Sequence, residues 1–326
     1  MEKSIGINEF YCCEFIRSIT FSHGLTEIGE KAFSKCHNLE TVVISDPFTK
    51  IGRYAFVESG LKTIILPHGL TEINNGAFCK CRNLETVVIP ETVTKIGAHA
   101  FAAGGLKTII LPDGRLTEIG EGAFLNCRNL ETIVIPNSIT KIGRNAFAYS
   151  GLKSIILPNG RLTEIGNCAF SDCRNLENVI IPETVTKIGI YAFAKSGLKS
   201  IILPYQSNGL TKIERGVFFR CGNLENVSIH YSVTKIDPSA FAFSGLKSIV
   251  LPDGLTEIGE GVFYNCRNLK TVVIPETVTK IGSGAFEESG LKSIILPHGI
   301  NIGKNAFPNC FNLVVEYRNR PQYNNQ

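Results

Sequence analysis

The sequence predicts an α/β solenoid, a right-handed stack of short repeats that share a parallel β-sheet face and are connected by short helical or 3-10 turns. Three observations support this prediction. Closely similar text recurs along nearly the whole chain, each copy contains two strand-like segments, and one copy is too short to bury a core alone. Stacking provides that core, because each repeat then covers the hydrophobic face of its neighbour.

Two versions of the repeat alternate along the chain. An A-unit is seen at 116–138, LTEIGEGAFLNCRNLETIVIPNS, and a B-unit at 139–161, ITKIGRNAFAYSGLKSIILPNGR, where the letters SGL replace the cysteine region. Six copies of each are found. A-units start at Leu25, Leu70, Leu116, Leu162, Leu210 and Leu255, and B-units start at Phe48, Val93, Ile139, Val185, Val233 and Val278.

The repeats define a single domain. A partial repeat at 5–24 precedes the twelve alternating repeats at 25–299, and another partial repeat at 300–317 follows them. We therefore expect one domain over 1–317, with about fourteen rungs, and a polar tail at 318–326. At roughly 4.8 Å per rung, this stack would be about 65 Å long.

The strand prediction comes from the segment LETIVIP in the A-unit. Leu130, Ile133 and Ile135 alternate with more polar residues, as in a strand with one buried face. Pro136 has no N–H to donate to a neighbouring strand and ends the segment. The run LTEIG, closed by a glycine, predicts a second short strand in each unit.

The segment between the two strands, EGAFLNC, is too short for a long helix. We expect a single α or 3-10 turn that buries Ala123 and Phe124.

The recurrent text resembles the BspA-type, or treponemal-type, class of leucine-rich repeats. The matching pattern is I-G-x-x-A-F-x-x-C-x-x-L-x-x-I-x-I-P, as in Ile119 to Pro136, and the resemblance extends over 5–317. The B-units depart from it at SGL. The resemblance implies a leucine-rich repeat solenoid, and it implies adhesion-type function, because such repeats are similar to modules of bacterial and protist surface proteins that bind host matrix proteins or other cells.

Eleven cysteines raise the question of a metal or redox site. Eight lie at the repeated A-position: Cys13, Cys36, Cys81, Cys127, Cys173, Cys221, Cys266 and Cys310. Most of these are two rungs apart, or roughly 9–10 Å, which exceeds the limit of about 7 Å between the Cα atoms of a disulfide. Cys13 and Cys36 fall on adjacent rungs and should lie closer.

The cysteines allow two interpretations. A ligand or redox site could form at Cys12-Cys13 or at Cys79-x-Cys81, whereas Cys168 is a further isolated thiol. We favour the alternative that the repeated cysteine fills a small buried space, because a metal site needs convergent ligands and a ladder separates them. No metal or cofactor is predicted. Many unpaired thiols favour a reducing compartment.

Charged residues form two predicted columns of alternating sign. One column precedes the main strand and the other lies in the second strand, so that Glu and Lys alternate from rung to rung. Such alternation disfavours slippage by one rung, which would bring like charges together. Two lysine triplets break the alternation: Lys187, Lys212 and Lys235, and Lys247, Lys270 and Lys292. They predict a basic patch for an acidic partner, and the alternative is sequence drift without a role on a solvated surface.

The outward positions of the main strands form two rows. One row is small and polar, and the other is apolar except at Ser228. A bare apolar row suits a protein partner or a second copy of the chain, although Val and Ile also favour strands wherever they lie. The predicted binding residues are Thr86, Val88, Thr108, Ile110, Thr132, Val134, Ser154, Ile156, Asn178, Ile180, Ser200 and Ile202.

Other functional classes receive little support from the sequence. There is no HExxH, P-loop or nucleophile elbow, so we expect no enzymatic activity. The formal net charge of +4 does not favour nucleic acid binding. No apolar run predicts a membrane span or a signal peptide, so we expect a cytoplasmic protein; the resemblance implies a cell-surface or secreted protein as the alternative.

The leading hypothesis is a non-enzymatic solenoid that binds a protein ligand on its sheet face. The second hypothesis is an intracellular structural or self-associating scaffold.

Overall fold

The computed structural model describes residues 3–21, 24–45, 50–205 and 209–318. These residues form a parallel β-solenoid of about 13 turns, compared with the roughly fourteen rungs expected from the repeats. The start of the first B-unit at Phe48 and nearly all of the predicted polar tail lie outside the described residues.

The main sheet face is built from the predicted LxxIxI segments. Its strands are β2 (Ser18–Phe21), β4 (Thr41–Ile44), β6 (Thr63–Ile65), β8 (Thr86–Val88), β10 (Thr108–Ile110), β12 (Thr132–Val134), β14 (Ser154–Ile156), β16 (Asn178–Ile180), β18 (Ser200–Ile202), β20 (Asn226–Ser228), β23 (Thr271–Val273), β25 (Ser293–Leu296) and β27 (Val314–Tyr317).

The second predicted strand of each unit forms a second parallel ladder, which is hydrogen-bonded as a run of nine strands followed by a run of five. Its strands are β1 (Lys3–Ile5), β3 (Leu25–Ile28), β5 (Lys50–Ile51), β7 (Glu72–Ile73), β9 (Lys95–Ile96), β11 (Glu118–Ile119), β13 (Lys141–Ile142), β15 (Glu164–Ile165), β17 (Lys187–Ile188), β19 (Lys212–Ile213), β21 (Lys235–Ile236), β22 (Glu257–Ile258), β24 (Lys280–Ile281) and β26 (Asn301–Ile302).

Most strands of successive rungs pair in parallel and in register, and the strands of the main face form four hydrogen-bonded groups. In the main sheet Thr86 pairs with Thr108 and Val88 with Ile110. The central residue of each such strand is buried and its two neighbours are exposed, which is the predicted alternation. The register therefore brings equivalent residues of successive rungs into columns.

The predicted helical turn is not found, because no helix occurs among the described residues. The N–H of Phe147 donates to the carbonyl of Ala169 in the next rung at 2.8 Å, whereas the N–H of Ala148 closes a turn onto Asn145 at 3.1 Å. Asn145 and Tyr149 adopt positive φ angles of 53° and 58°. Alternate N–H groups thus bond between rungs or within tight turns, which replaces the i to i−4 pattern of a helix.

A column of phenylalanines fills the core beneath these turns. Fourteen rings stack from Phe10 to Phe307, with neighbouring centroids 5.1 to 6.0 Å apart. The predicted burial of Ala123 and Phe124 is confirmed, since both are fully buried. Each successive repeat, including the two partial ones, supplies one ring, so the core is continuous along the solenoid.

The SGL sequence of the B-units has a steric cause. A Cβ atom added to Gly151 would lie 2.0 Å from the carbonyl oxygen of Arg128 in the preceding rung. The same glycine donates its N–H to the carbonyl of Cys127 at 3.1 Å. Only a residue without a side chain permits this approach.

Candidate interaction surface

The outer face of the main sheet exposes an apolar row. Its nine large members are between 49% and 81% exposed: Ile65, Val88, Ile110, Val134, Ile156, Ile180, Ile202, Val250 and Val273. The first seven lie on consecutive rungs. The predicted outward orientation of this row is confirmed, and its role in binding stays a prediction.

A polar row accompanies the apolar one along the strands. Thr86, Thr108, Thr132, Ser154, Asn178 and Ser200 are all exposed. Two grooves open on this face. One of about 880 Å³ is lined by Ile65, Val88 and His68, among others, and one of about 480 Å³ is lined by Ile110, Val134 and Ile156 with neighbouring hydroxyls. Apolar side chains and hydroxyl groups therefore meet in the same shallow depressions.

The apolar row is interrupted once, by an aromatic cluster that sequence analysis missed. The hydroxyl groups of Tyr205 and Ser228 lie 2.7 Å apart. The ring of His230, nearly buried, packs edge-on against Tyr205 at 5.4 Å and lies 3.8 Å from the ring of Tyr231. The signal was present in the sequence, because His230 stands where most other units have the proline that ends the main strand.

The two predicted charge columns are confirmed. In the column that borders the exposed face, five lysines pair with the glutamate of the preceding rung at 2.7 to 3.1 Å: Lys62–Glu40, Lys107–Glu85, Lys153–Glu131, Lys199–Glu177 and Lys247–Glu225. In the second ladder the pairs include Lys50–Glu27, Lys95–Glu72, Lys187–Glu164 and Lys280–Glu257. These columns carry both signs and little net charge.

The first lysine triplet is neutralised by acidic residues both inside and outside the columns. Lys212 and Lys235 are register partners, yet Lys212 pairs with Asp237 at 2.8 Å and with Glu214 at 3.2 Å. Lys235 pairs with Glu257 at 3.0 Å. The hydrogen bond to Asp237 is the main reason that the pKa of Lys212 is raised.

The second triplet is less neutralised. Lys247 pairs with Glu225 at 2.7 Å, whereas Lys270 and Lys292 are exposed and make no ion pair within the part of the chain that the structure describes. The recognition of an acidic partner by these lysines stays a prediction.

The repeated cysteines fill buried positions, as predicted. Six of the eight are buried, and the two in the terminal partial repeats, Cys13 and Cys310, are half-buried. Burial raises the pKa of Cys81 to about 12 and that of Cys173 to about 11. These thiols are protonated at neutral pH, and the Sγ of Cys81 donates to the carbonyl of Phe56 at 3.0 Å. In the described residues no group of His, Cys, Asp and Glu side chains could hold a metal ion.

Comparisons with known proteins agree with the geometry. The family model for the BspA type leucine-rich repeat region matches residues 3–116, 105–208 and 205–314, in six copies. The chain belongs to this family of leucine-rich repeat proteins. A search of curated proteins finds no match.

Among the described residues no helix is long and apolar enough to span a membrane.

Two solved structures share the fold. A leucine-rich repeat protein from Bacteroides ovatus is 26% identical, with a TM-score of 0.63, and the match covers 93% of this chain and 92% of that one. A leucine-rich repeat protein from Eubacterium ventriosum is 26% identical, with a TM-score of 0.58, over 88% of this chain and 80% of that one.

Proposed function

We propose that this protein is a non-enzymatic interaction module that binds another protein through the outer face of its main sheet. The observation that supports this is the row of nine exposed Val and Ile side chains. At roughly 100 Å² each they expose on the order of 1,000 Å², above the few hundred Å² usual for a patch on a monomer and comparable to one side of a standard interface.

The face is rigid in the absence of a partner. Backbone hydrogen bonds join Ile135 to Ile156 and Ile89 to Ile110 between rungs, each at 3.0 Å. A partner therefore cannot add a strand within the sheet and must be recognised by side chains. Because these side chains stand on a preformed sheet, little conformational entropy is lost when they bind.

The charges of the face limit the partner's chemistry. As far as Lys247 the column that borders the apolar row alternates between Glu and Lys, so that neighbouring charges compensate one another. Such a face offers no extended positive field for a nucleic acid backbone. It suits a protein surface with an apolar centre and a hydrogen-bonding rim, and we expect its affinity to depend weakly on salt.

The double variant Ile110→Glu/Ile156→Glu tests the face directly. It places two carboxylates in the apolar row without altering the buried residues of the same strands. Ile190→Glu is the matched control, because Ile190 is exposed on the turn segment, away from the sheet face. We expect proteins captured by the wild type and by Ile190→Glu to be lost from the double variant. Capture of the same proteins by all three would contradict the proposal.

Self-association through the same face is the alternative outcome. Light scattering after gel filtration measures the mass of the wild type and of the double variant. A wild-type dimer that the two glutamates convert to a monomer would favour the scaffold hypothesis, whereas a monomeric wild type favours a different protein as the ligand.

The family resemblance supports a finer proposal, in which the ligand is a host or extracellular-matrix protein. Binding to a panel of immobilised matrix proteins tests it, with the double variant as the negative control. Fractionation of the native cell then distinguishes an exposed adhesion module from a cytoplasmic scaffold.

A further inference from the structure

Serine and cysteine alternate in one buried column of the solenoid. In five places the Oγ of a B-unit serine lies 3.3 to 3.4 Å from the Sγ of the next A-unit cysteine: Ser59–Cys81, Ser150–Cys173, Ser196–Cys221, Ser244–Cys266 and Ser289–Cys310. The column thus brings the side chains of adjacent rungs into contact.

At the N-terminus a cysteine occupies the place of the serine. The partial repeat at 5–24 has the A-type spacing and is followed directly by another A-unit. The Sγ of Cys36 donates to the carbonyl of Phe10 at 2.9 Å, and the N–H of Cys13 closes a turn onto the same carbonyl at 3.1 Å. Cys13 therefore lies beside Cys36, just as a serine lies beside the cysteine in each of the five pairs.

The same contacts are made at a serine–cysteine pair. The Sγ of Cys81 donates to the carbonyl of Phe56 at 3.0 Å, and the N–H of Ser59 closes a turn onto that carbonyl at 3.1 Å. The two sites share the donor, the acceptor and the spacing of the residues that supply them.

The two N-terminal rungs have the ordinary spacing of the solenoid. The rings of Phe10 and Phe33 stack at 5.1 Å, and the N–H of Cys12 donates to the carbonyl of Ser34 at 2.8 Å. Adjacent parallel chains lie about 4.8 Å apart. That spacing falls within the range of about 4.4 to 6.8 Å between the Cα atoms of disulfide-bonded cysteines.

We propose that Cys13 and Cys36 are a site of reversible oxidation, at which a disulfide fastens the N-terminal rung to the first complete rung. A small disulfide such as oxidised glutathione is the oxidant. The Cys13 thiolate attacks one of its sulfurs and releases one thiol, and the Cys36 thiolate then attacks the mixed disulfide and releases the second. Both cysteine protons end on the two released thiols, so one disulfide is reduced as another forms.

Exposure sets the order of these steps. Cys13 is half-buried and open to the oxidant, whereas Cys36 is fully buried. Burial raises the pKa of Cys36 to about 11. Below that value, closure of the disulfide should therefore accelerate by about tenfold for each unit by which the pH rises, because the thiolate is the attacking species.

Cys12 is the competing thiol, and its position argues against a cross-link. It is exposed, has a φ of 56°, and lies one residue earlier than Cys13 in the turn segment. The equivalent residue of the next rung is Lys35, which has a similar φ of 59°. Cys12 thus has a lysine, rather than a thiol, as its neighbour in the column.

Peptide mapping of the full chain after exposure to oxidised glutathione tests the proposal. Trypsin cuts after Arg17 and Lys35 and so separates the peptide of Cys13 from that of Cys36. We expect the two peptides to be linked in the wild type and in Cys12→Ser, and to be separate in Cys13→Ser. The Cys13→Ser variant should fold, because it recreates the serine–cysteine pair found five times in the same column.

Amide hydrogen exchange provides a second measurement. Oxidation should slow exchange in residues 5–21 by about tenfold or more in the wild type and leave Cys13→Ser unchanged, because only a cross-linked rung loses its local opening. A link through Cys12, a glutathione adduct on Cys13 that never closes, or oxidation without any link to Cys36 would each overturn the proposal.

Discussion

Truncation of one phenylalanine in the central stack should show that each rung is stabilised by its two neighbours alone. Phe147 is fully buried. Its ring stacks against Phe124 at 5.3 Å and against Phe170 at 5.5 Å. The variant Phe147→Ala removes both contacts and leaves a cavity between the neighbouring rings. The cavity cannot close easily, because backbone hydrogen bonds fix the spacing of the rungs.

The magnitude follows from these contacts. Truncation of a buried phenylalanine to alanine costs about 3–5 kcal/mol, and the value should fall at the upper end because two ring pairs worth about 0.5–1.5 kcal/mol each are lost. Phe307 is the matched control. It is half-buried, terminates the described stack and has one ring neighbour, Phe286, at 5.3 Å. We expect Phe307→Ala to cost about half as much, or roughly 2.5 kcal/mol.

Urea denaturation followed by circular dichroism measures both variants. Because each rung contacts only its neighbours, weakening one central interface should also broaden or split the unfolding transition of Phe147→Ala. Phe307→Ala should keep a single transition. Equal costs for the two variants, within about 1 kcal/mol, would refute the view that stability adds up rung by rung.

Three further predictions concern single contacts. Gly151→Ala should unfold the solenoid locally, since the new Cβ would lie 2.0 Å from a backbone oxygen, whereas Gly222→Ala, with open space around it, should leave the melting temperature nearly unchanged; equal melting temperatures would contradict this. Asp237→Asn removes the carboxylate 2.8 Å from Lys212 and should lower the free energy of unfolding by about 1 kcal/mol. This difference from the wild type should shrink at high salt, and a difference that is independent of salt would argue against an electrostatic cause. The pKa of Glu257 is lowered by hydrogen bonds from two lysines. The stability that its carboxylate contributes should therefore be present above its unfolded pKa of about 4.3 and be lost as the pH falls through the folded pKa. The unfolding free energies of the wild type and Glu257→Gln should differ at pH 7 and converge in acid, and a difference that is constant with pH would contradict this assignment.

Much of the architecture follows from periodicity alone. The alternation in LETIVIP places Ile133 inward and Thr132 and Val134 outward, and the structure confirms all three orientations. The charge columns follow in the same way, since a parallel in-register stack converts a repeat in sequence into a column in space. Stacking also explains why the repeat pattern is enough to predict that Phe124 is buried.

The absence of a helical turn from the described turn segments has a physical origin. Short segments that bury an Ala-Phe pair suggest a helical turn, which satisfies its backbone hydrogen bonds locally. In the solenoid the adjacent rung offers carbonyl groups at bonding distance, as Ala169 does to Phe147 at 2.8 Å. Nothing within one repeat reports that these acceptors exist.

The departures from the repeat are visible in the sequence, but their consequences are not. Lys212 leaves an unbalanced positive charge in its column, and only the fold shows Asp237 beside it. Ser228 is a gap in the apolar row, and only the fold shows Tyr205 in contact with it across 23 residues.

The repeat text alone was sufficient for the stack, its parallel strands, its inward and outward faces and its alternating charges, because each depends on the residue's place within a unit. The tertiary structure decided which backbone groups bond between rungs and which side chains compensate an irregular residue. Those outcomes depend on which groups the adjacent rung has at the equivalent position, and that information lies outside any single repeat.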